Sequence, residues 1–387
     1  MSYSTVLLRM LLLIVAMLLP ATASYAQATP ASETYDLYFA KGISEFELER
    51  YEAAEKLFRK ALEAKPGDPE ATLYLTQIAR GRPGKQKIWD LTLSVSAQWD
   101  DNVAAVPLGA SPPGGPSGIS RQSDYRTVFA LRGEVRAFEQ GPLVAGAGYS
   151  FYQSLHRTLS GFDVEAHTPV VFVQYTAGPV QTRLQYVFDY AQVGRSPYVI
   201  AHAFAPIITV TETPELFTQF QLRYQSKDYQ DGRFLFNSLR DGHNWLIGGT
   251  QYWLYANKTA HVRAGYFYDK EVTGGKNATN GTDFAAADWA YQGHRFLVGA
   301  TLPPVYRTTL DIGFEYYWQP YNSANSFSIL GNVYREDKVY TPYVTATRQL
   351  TDQLSLALQY LHMRNESNVA AFDYNRNIFS LTLTGQF

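Results

Sequence analysis

Cysteine is absent from the 387 residues, which excludes a disulfide framework and any Cys-based metal site. Long apolar runs are absent too, beyond the first twenty or so residues, so any bilayer crossing has to be made by strands. Charge of one sign is also lacking. Lys and Arg number 33 against 35 Asp and Glu, a net charge of −2 that leaves no global footprint for nucleic acid. No Gly-x-Ser-x-Gly elbow occurs and the seven histidines are scattered, so the chain is expected to be neither an enzyme nor a cofactor protein. What the sequence has in excess is aromatic side chains: 15% of the whole, with 29 tyrosines.

The chain starts as an export signal does. Arg9 precedes the apolar run Met10 to Leu19, Pro20 ends it, and Ser24-Tyr25-Ala26 suits cleavage before Gln27. Residues 1–26 are therefore expected to be a signal peptide. Helical spacing follows, and residues 27–87 are expected to form a helical domain. Gly42, Phe46, Tyr51, Ala54, Phe58, Ala61 and Pro66 fall at the spacings of a tetratricopeptide repeat. In this pattern small Gly42 and Ala54 let two helices approach, Tyr51 and Phe58 fill between them, Ala61 continues the face, and Pro66 ends the second helix. Asp68 then caps a third helix. Such a head would dock a periplasmic partner, cap the barrel mouth or self-associate. Gly81-Arg82-Pro83-Gly84 marks its boundary.

From Ile88 the period changes to two. Trp89, Leu91, Leu93, Val95, Ala97 and Trp99 alternate with Asp90, Thr92, Ser94, Ser96 and Gln98. At the other end Phe379, Leu381, Leu383, Gly385 and Phe387 alternate with Ser380, Thr382, Thr384 and Gln386. Similar segments recur about every twenty residues, the spacing of barrel hairpins. Trp245 to Tyr255 is apolar on both faces. Short turns near 140–142, 178–179, 213–214, 257–258, 303–304 and 351–352 alternate with longer loops at 101–122, 156–163, 194–201, 230–241, 272–290, 319–335 and 366–372. The pattern predicts an antiparallel up-and-down transmembrane β-barrel of about fourteen strands over residues 88–387. Its short turns and the helical head would face the periplasm of a Gram-negative cell. A soluble β-protein would leave these aromatic faces in water.

The inward faces of these strands should carry Arg126, Arg132, Arg136, Arg183, Arg223, Arg263, Arg295, Arg307 and Arg376, opposed by Glu134, Asp189, Asp269, Asp311 and Glu315. Arginine–carboxylate pairing would satisfy most of these charges, and any surplus positive charge would favour anionic solutes or acidic chain segments. Asp100, Asp101 and Asn102 offer oxygen ligands of the sort Ca²⁺ takes, but a turn is the expected use of that triplet, and no metal is expected.

Trp99-Asp100-Asp101-Asn102-Val103, Arg240-Asp241-Gly242-His243, Tyr291-Gln292-Gly293-His294-Arg295 and Asp373-Tyr374-Asn375-Arg376-Asn377 together resemble the barrel domain of the surface lipoprotein assembly modifier family. The resemblance implies a fourteen-stranded barrel behind a periplasmic repeat domain, helping lipoproteins reach the cell surface. Departures are the single repeat here and the final strand, where Thr382 and Gly385 replace the Gly and apolar residue of the usual barrel-assembly signal. Phe387 keeps the terminal aromatic. The expected partners are outer-membrane lipids, the barrel-assembly machinery and a periplasmic or lipoprotein client. The alternative function is a pore or exporter for an anionic solute or polysaccharide.

Overall fold

A computed structural model describes residues 30–47, 51–66, 68–79, 88–107, 121–232, 234, 236–274, 286–328 and 332–387. The expected signal peptide, the 81–84 boundary and most of the 101–122 loop lie outside the described residues. The chain divides into two compact units, residues 1–87 and 88–387.

In the first unit, helices α1 (Pro30–Glu47), α2 (Tyr51–Ala64) and α3 (Pro69–Ala79) follow one another. Ala54, Phe58 and Ala61 recur at helical spacing and form the buried stripe of α2. Gly42 is needed for its size: a Cβ there would stand 2.8 Å from the Phe58 ring. Phe58 in turn stacks on Tyr74 of α3 at 4.7 Å and meets Phe39 of α1 edge-on at 5.7 Å. Tyr51 packs against Phe46, ring centroids 5.5 Å apart, and Pro66 lies exposed in the turn after α2. Asp68 caps α3, accepting the backbone N–H of Glu70 and Ala71 at 3.1 Å each. It also accepts the Tyr35 hydroxyl at 2.6 Å and pairs with Lys65 at 2.8 Å, tying α1 and the end of α2 to the cap.

The second unit is strand throughout. Its segments are β1 (Trp89–Asp100), β2 (Asp124–Gln140), β3 (Leu143–His156), β4 (Val164–Ala177), β5 (Val180–Val193), β6 (Ser196–Phe204), β7 (Ile207–Thr213) and β8 (Leu216–Tyr229). There follow β9 (Gly242–Tyr255), β10 (Ala260–Thr273), β11 (Tyr291–Thr301), β12 (Thr308–Ala324), β13 (Tyr334–Gln349), β14 (Leu354–Ser367) and β15 (Tyr374–Gln386). Each pairs antiparallel with its neighbours, and β15 pairs with β1 from Thr92↔Gln386 to Asp100↔Ile378, so no edge is left. Segments β6 and β7 are one stave, since both lie between β5 and β8. Pro206 interrupts it because proline has no N–H to donate. The ladder continues across the gap through Ala205 N–H to Gln185 O at 2.9 Å and Leu222 N–H to Pro206 O at 3.0 Å. The result is a closed, fourteen-stave antiparallel outer-membrane barrel preceded by a small helical region.

The connections separate by end. Those after β2, β4, β7, β9, β11 and β13 are short, at what we call the turn end; the other seven form the loop end. Two of the seven depart from expectation. Where the sequence predicts a loop over 194–201, the chain reverses in two residues. Gly194 and Arg195 both take positive φ, 59° and 67°, as a type I′ hairpin turn requires, and β6 begins at once. The loop predicted at 319–335 contracts to 325–333, because β12 and β13 stay paired to Pro320↔Glu336 and again at Ala324↔Tyr334.

Exposure alternates along the staves. Leu93, Val95, Phe129, Val171, Tyr186, Phe220, Ile247, Val298, Ile312 and Leu381 are all exposed and face outward around the circumference. An apolar surface this continuous is stable only against lipid. Trp99, Trp245 and Trp318 lie toward the loop end of the wall and Trp89 and Trp253 toward the turn end, in two interfacial belts. The doubly apolar stretch 245–255 resolves in the same way. Trp245, Ile247, Trp253 and Tyr255 face out, while Tyr252 faces in and stacks on Phe217 at 4.6 Å.

Candidate functional site

The alternation that turns apolar side chains to lipid turns the arginines to the lumen, where register decides their partners. Arg183 reaches from β5 to Glu134 on β2 through two hydrogen bonds of 3.1 and 2.8 Å, its guanidinium 3.6 Å above the Phe172 ring. Arg263 makes the same bidentate pairing with Asp311 at 3.1 and 2.9 Å and also donates to Tyr343 and His261. Arg295 lies 3.7 Å from Glu315 and over the Tyr317 ring. Arg126 donates to Gln98 at 2.8 Å, and Arg223 to Asn244 at 2.9 Å. Arg132 has no hydrogen bond or ion pair among the described residues. It lines a recess of about 250 Å³ with Asp90, Thr92 and Glu134. Arg136 lies at the turn end of β2, at a β-bulge between Arg136 and Phe138.

Arg307 is not a lumen residue. β12 starts at Thr308, so Arg307 sits in the turn before it with φ 62° and pairs with exposed Asp352. The strand pattern extended through Tyr306 and Arg307 as if the stave began there. The stave begins only at Thr308, two residues after Tyr306.

Lumen acids are more numerous than the sequence suggests. Asp100, Glu271 and Asp337 also face inward, each paired with a cation: Arg376, Lys227 and Arg335 respectively. Arg335 falls within a predicted loop, and its lumen position became apparent only with the true start of β13. The wall is therefore close to charge-balanced, with Arg132 and Arg223 lacking a carboxylate partner among the described residues.

At the loop end the lumen is occupied by side chains carried on short 3₁₀ turns. These turns are Asn237–Arg240, Ala286–Trp289 and Ala370–Phe372. The Trp289 ring stands 6.2 Å from Phe327 and 6.3 Å from Phe372, with the Arg240 guanidinium 5.0 Å away. Arg335 lies over Phe372 at 3.3 Å and Tyr321 at 4.3 Å. Below them, Asp269 accepts the Tyr317 hydroxyl at 2.8 Å, and Tyr291 lies 3.4 Å away. These loops thus fold inward and narrow the mouth.

The four motifs quoted above all lie at this end. Two of them meet across the barrel seam. Asp100, fully buried, accepts two hydrogen bonds of 3.1 Å from Arg376 Nε, with Arg126 3.9 Å away. Asp101 accepts Asn377 N–H at 2.6 Å, Asn377 Nδ2 at 2.7 Å and Arg121 at 2.9 Å. Burial opposes its charge, but the Asn377 and Arg121 donors outweigh it and hold the carboxyl below its usual range. Asn102 donates to the carbonyls of Val106 and Asn375 at 2.9 and 2.8 Å. The triplet is a seam clasp, its oxygens directed at protein donors. The terminal strand is held by the same seam: Phe387 N–H donates to Leu91 O at 2.8 Å and Leu91 N–H to Phe387 O at 3.0 Å.

No protein-family model matches the chain, and no curated protein sequence matches it. Solved structures similar to it include an anion-selective porin from Comamonas acidovorans, 10% identical with a TM-score of 0.42 over 77% of this chain and 98% of that one. OmpT, an outer membrane protein of Vibrio cholerae, is 10% identical with a TM-score of 0.42 over 77% of this chain and 97% of its own. The outer membrane protein OprD from Pseudomonas aeruginosa is 10% identical with a TM-score of 0.38 over 78% and 94%. The strand count and closure of the present barrel rest on its own pairing.

Proposed function

We propose that this chain is an outer-membrane pore for small polar or anionic solutes, with its turn end and helical unit in the periplasm. The observation that supports it most is the wall of β2 to β5. There Arg132, Glu134, Ser150, Thr168, Arg183 and Gln185 line a recess of about 190 Å³ instead of interlocking as a filled core. Most inward side chains on these staves are half-buried, as expected of groups that water reaches. The inward-folded loops then act as the filter at the mouth, as loops do in other barrels. Purified protein in a planar bilayer is expected to give discrete conductance steps. A silent bilayer, with folded protein shown to have inserted, would remove this reading.

The second reading is surface assembly of a lipoprotein client by a member of the assembly-modifier family. What supports it is the helical unit, in which Gly42 leaves room for the Phe58 ring between two helices, as a single repeat of that family would need. Its signature is a lipoprotein that remains periplasmic when the chain is deleted. Unchanged display of every surface lipoprotein counts against it.

A further inference from the structure

Arg240 opens one of the loop-end motifs and is used by neither the wall ladder nor the seam. Its Nη1 donates to the Tyr198 hydroxyl at 2.6 Å and lies 3.5 Å from Asn237 Oδ1, and its Nη2 lies 3.5 Å from the Tyr229 hydroxyl. The rings of Tyr229, Trp289 and Tyr198 stand 4.4, 5.0 and 5.9 Å from the guanidinium carbon. No carboxylate among the described residues forms an ion pair with it; Glu271, whose charge acts on it through space, is bridged to Lys227 at 2.7 Å. The mount is firm. Asn237 is buried, and its amide donates to the carbonyls of Tyr198 and Gln230 at 3.0 and 3.2 Å.

A guanidinium drawn out of water among neutral phenols and an indole, with Glu271 already held by Lys227, has no counter-charge in contact with it. Its planar fork suits a carboxylate. The charge to be matched is a single one, because the nearby cations Arg335 and Lys227 are already neutralised by Asp337 and Glu271. A dianionic phosphate would want a second free cation. The aromatic frame offers apolar surface to an organic body beside the charged group.

We propose that Arg240, framed by Tyr198, Tyr229 and Trp289, binds the carboxylate of a small organic monoanion at the loop end of the lumen. This deepens the pore reading by naming a solute class, and binding can be tested without conduction. The probe is radiolabelled benzoate in equilibrium dialysis against the folded full-length protein in detergent. Saturable binding is expected, weakened about tenfold by Arg240→Gln, since a hydrogen-bonded charge pair is lost. Arg307→Gln at the turn end should bind as the parent does. Unlabelled benzamide and inorganic phosphate should compete poorly. Absence of saturable binding overturns the proposal, as does equal binding by Arg240→Gln. Benzamide competing as well as benzoate would reduce the site to aromatic packing, and phosphate competing as well would reassign it to inorganic anions; either outcome overturns the carboxylate assignment. Should Arg240→Gln fail to fold, Tyr198→Phe removes the hydroxyl that holds the guanidinium and is expected to bind more weakly, unchanged affinity again being fatal. A protein that conducts yet binds no benzoate sinks the site and spares the pore.

Discussion

Asp68 shows how much of the helical unit depends on one carboxylate. Lys65 and Tyr35 donate to it, with the Ala71 N–H behind them, and hold its pKa far below the usual carboxylate range. A group depressed in the folded state contributes stability that is present above its unfolded pKa and lost as pH falls through the folded value. The helical signal should therefore hold down to about pH 4, the value for an unfolded Asp, and decline only in stronger acid. Ellipticity at the helix minimum, followed by acid titration of the full chain, is the measurement. An Asp68→Asn variant should start with less helix and respond less steeply, and an identical titration curve would show that the cap is idle. The seam carries a stronger case. Asp100 is fully buried, and Arg376 is its principal cation. Arg376→Gln is expected to cost about 3–5 kcal/mol, because it strands a buried charge. Adding Asp100→Asn should restore part of the loss, since the pair is coupled. Urea unfolding in detergent would show it as a midpoint that drops in the single variant and partly recovers in the double. Gly385, the departure from the usual terminal signal, also acquires a reason: a Cβ there would stand 3.0 Å from the Phe387 ring, which folds back over it.

Among the elements, α2 and the closing strand carry the sharpest expectations. Phe58→Ala would empty the space between α1, α2 and α3, at a cost of about 3–5 kcal/mol, and should melt the helical signal while leaving the barrel folded. A thermal scan that loses helix and strand signal together in this variant would show the two units unfolding as one. Deleting Phe387 removes both backbone hydrogen bonds to Leu91, so the fraction of heat-modifiable protein in outer membranes should fall sharply. The staves themselves were readable from alternation, because lipid and lumen impose opposite polarity at a period of two. Their ends were less so. Arg195 gives no sign that it will adopt a left-handed conformation, so the two-residue turn at 194–195 resembled a loop. β12 and β13 remain paired beyond their apolar stretch, where polar side chains such as Gln319 and Glu336 resemble loop composition. Arg307 misleads for the opposite reason, since the alternation can be read back into the turn that precedes β12.

For the whole molecule, the question is what charge the lumen presents, and this depends on register more than on composition. Alternation placed Arg183 inward, but its partner Glu134 lies 49 positions earlier and becomes adjacent only once β2 to β5 are aligned. With Asp100, Glu271 and Asp337 also paired inside, most of the apparent arginine excess is cancelled. The remaining field comes from cations without a carboxylate ion pair among the described residues: Arg132 toward the turn end, Arg223 on β8 and Arg240 at the loop end. A pore of this kind should show only mild anion preference, decreasing with salt as the unpaired charges are screened. The reversal potential across a salt gradient measures it. Arg132→Gln and Arg223→Gln should each shift it toward non-selectivity, and together approximately additively, because their staves are far apart in the barrel. Glu134→Gln should shift it the other way, by releasing Arg183 from its pair. If Glu134→Gln leaves the reversal potential unchanged while Arg132→Gln moves it, ions pass by Arg132 without sensing the Arg183–Glu134 pair.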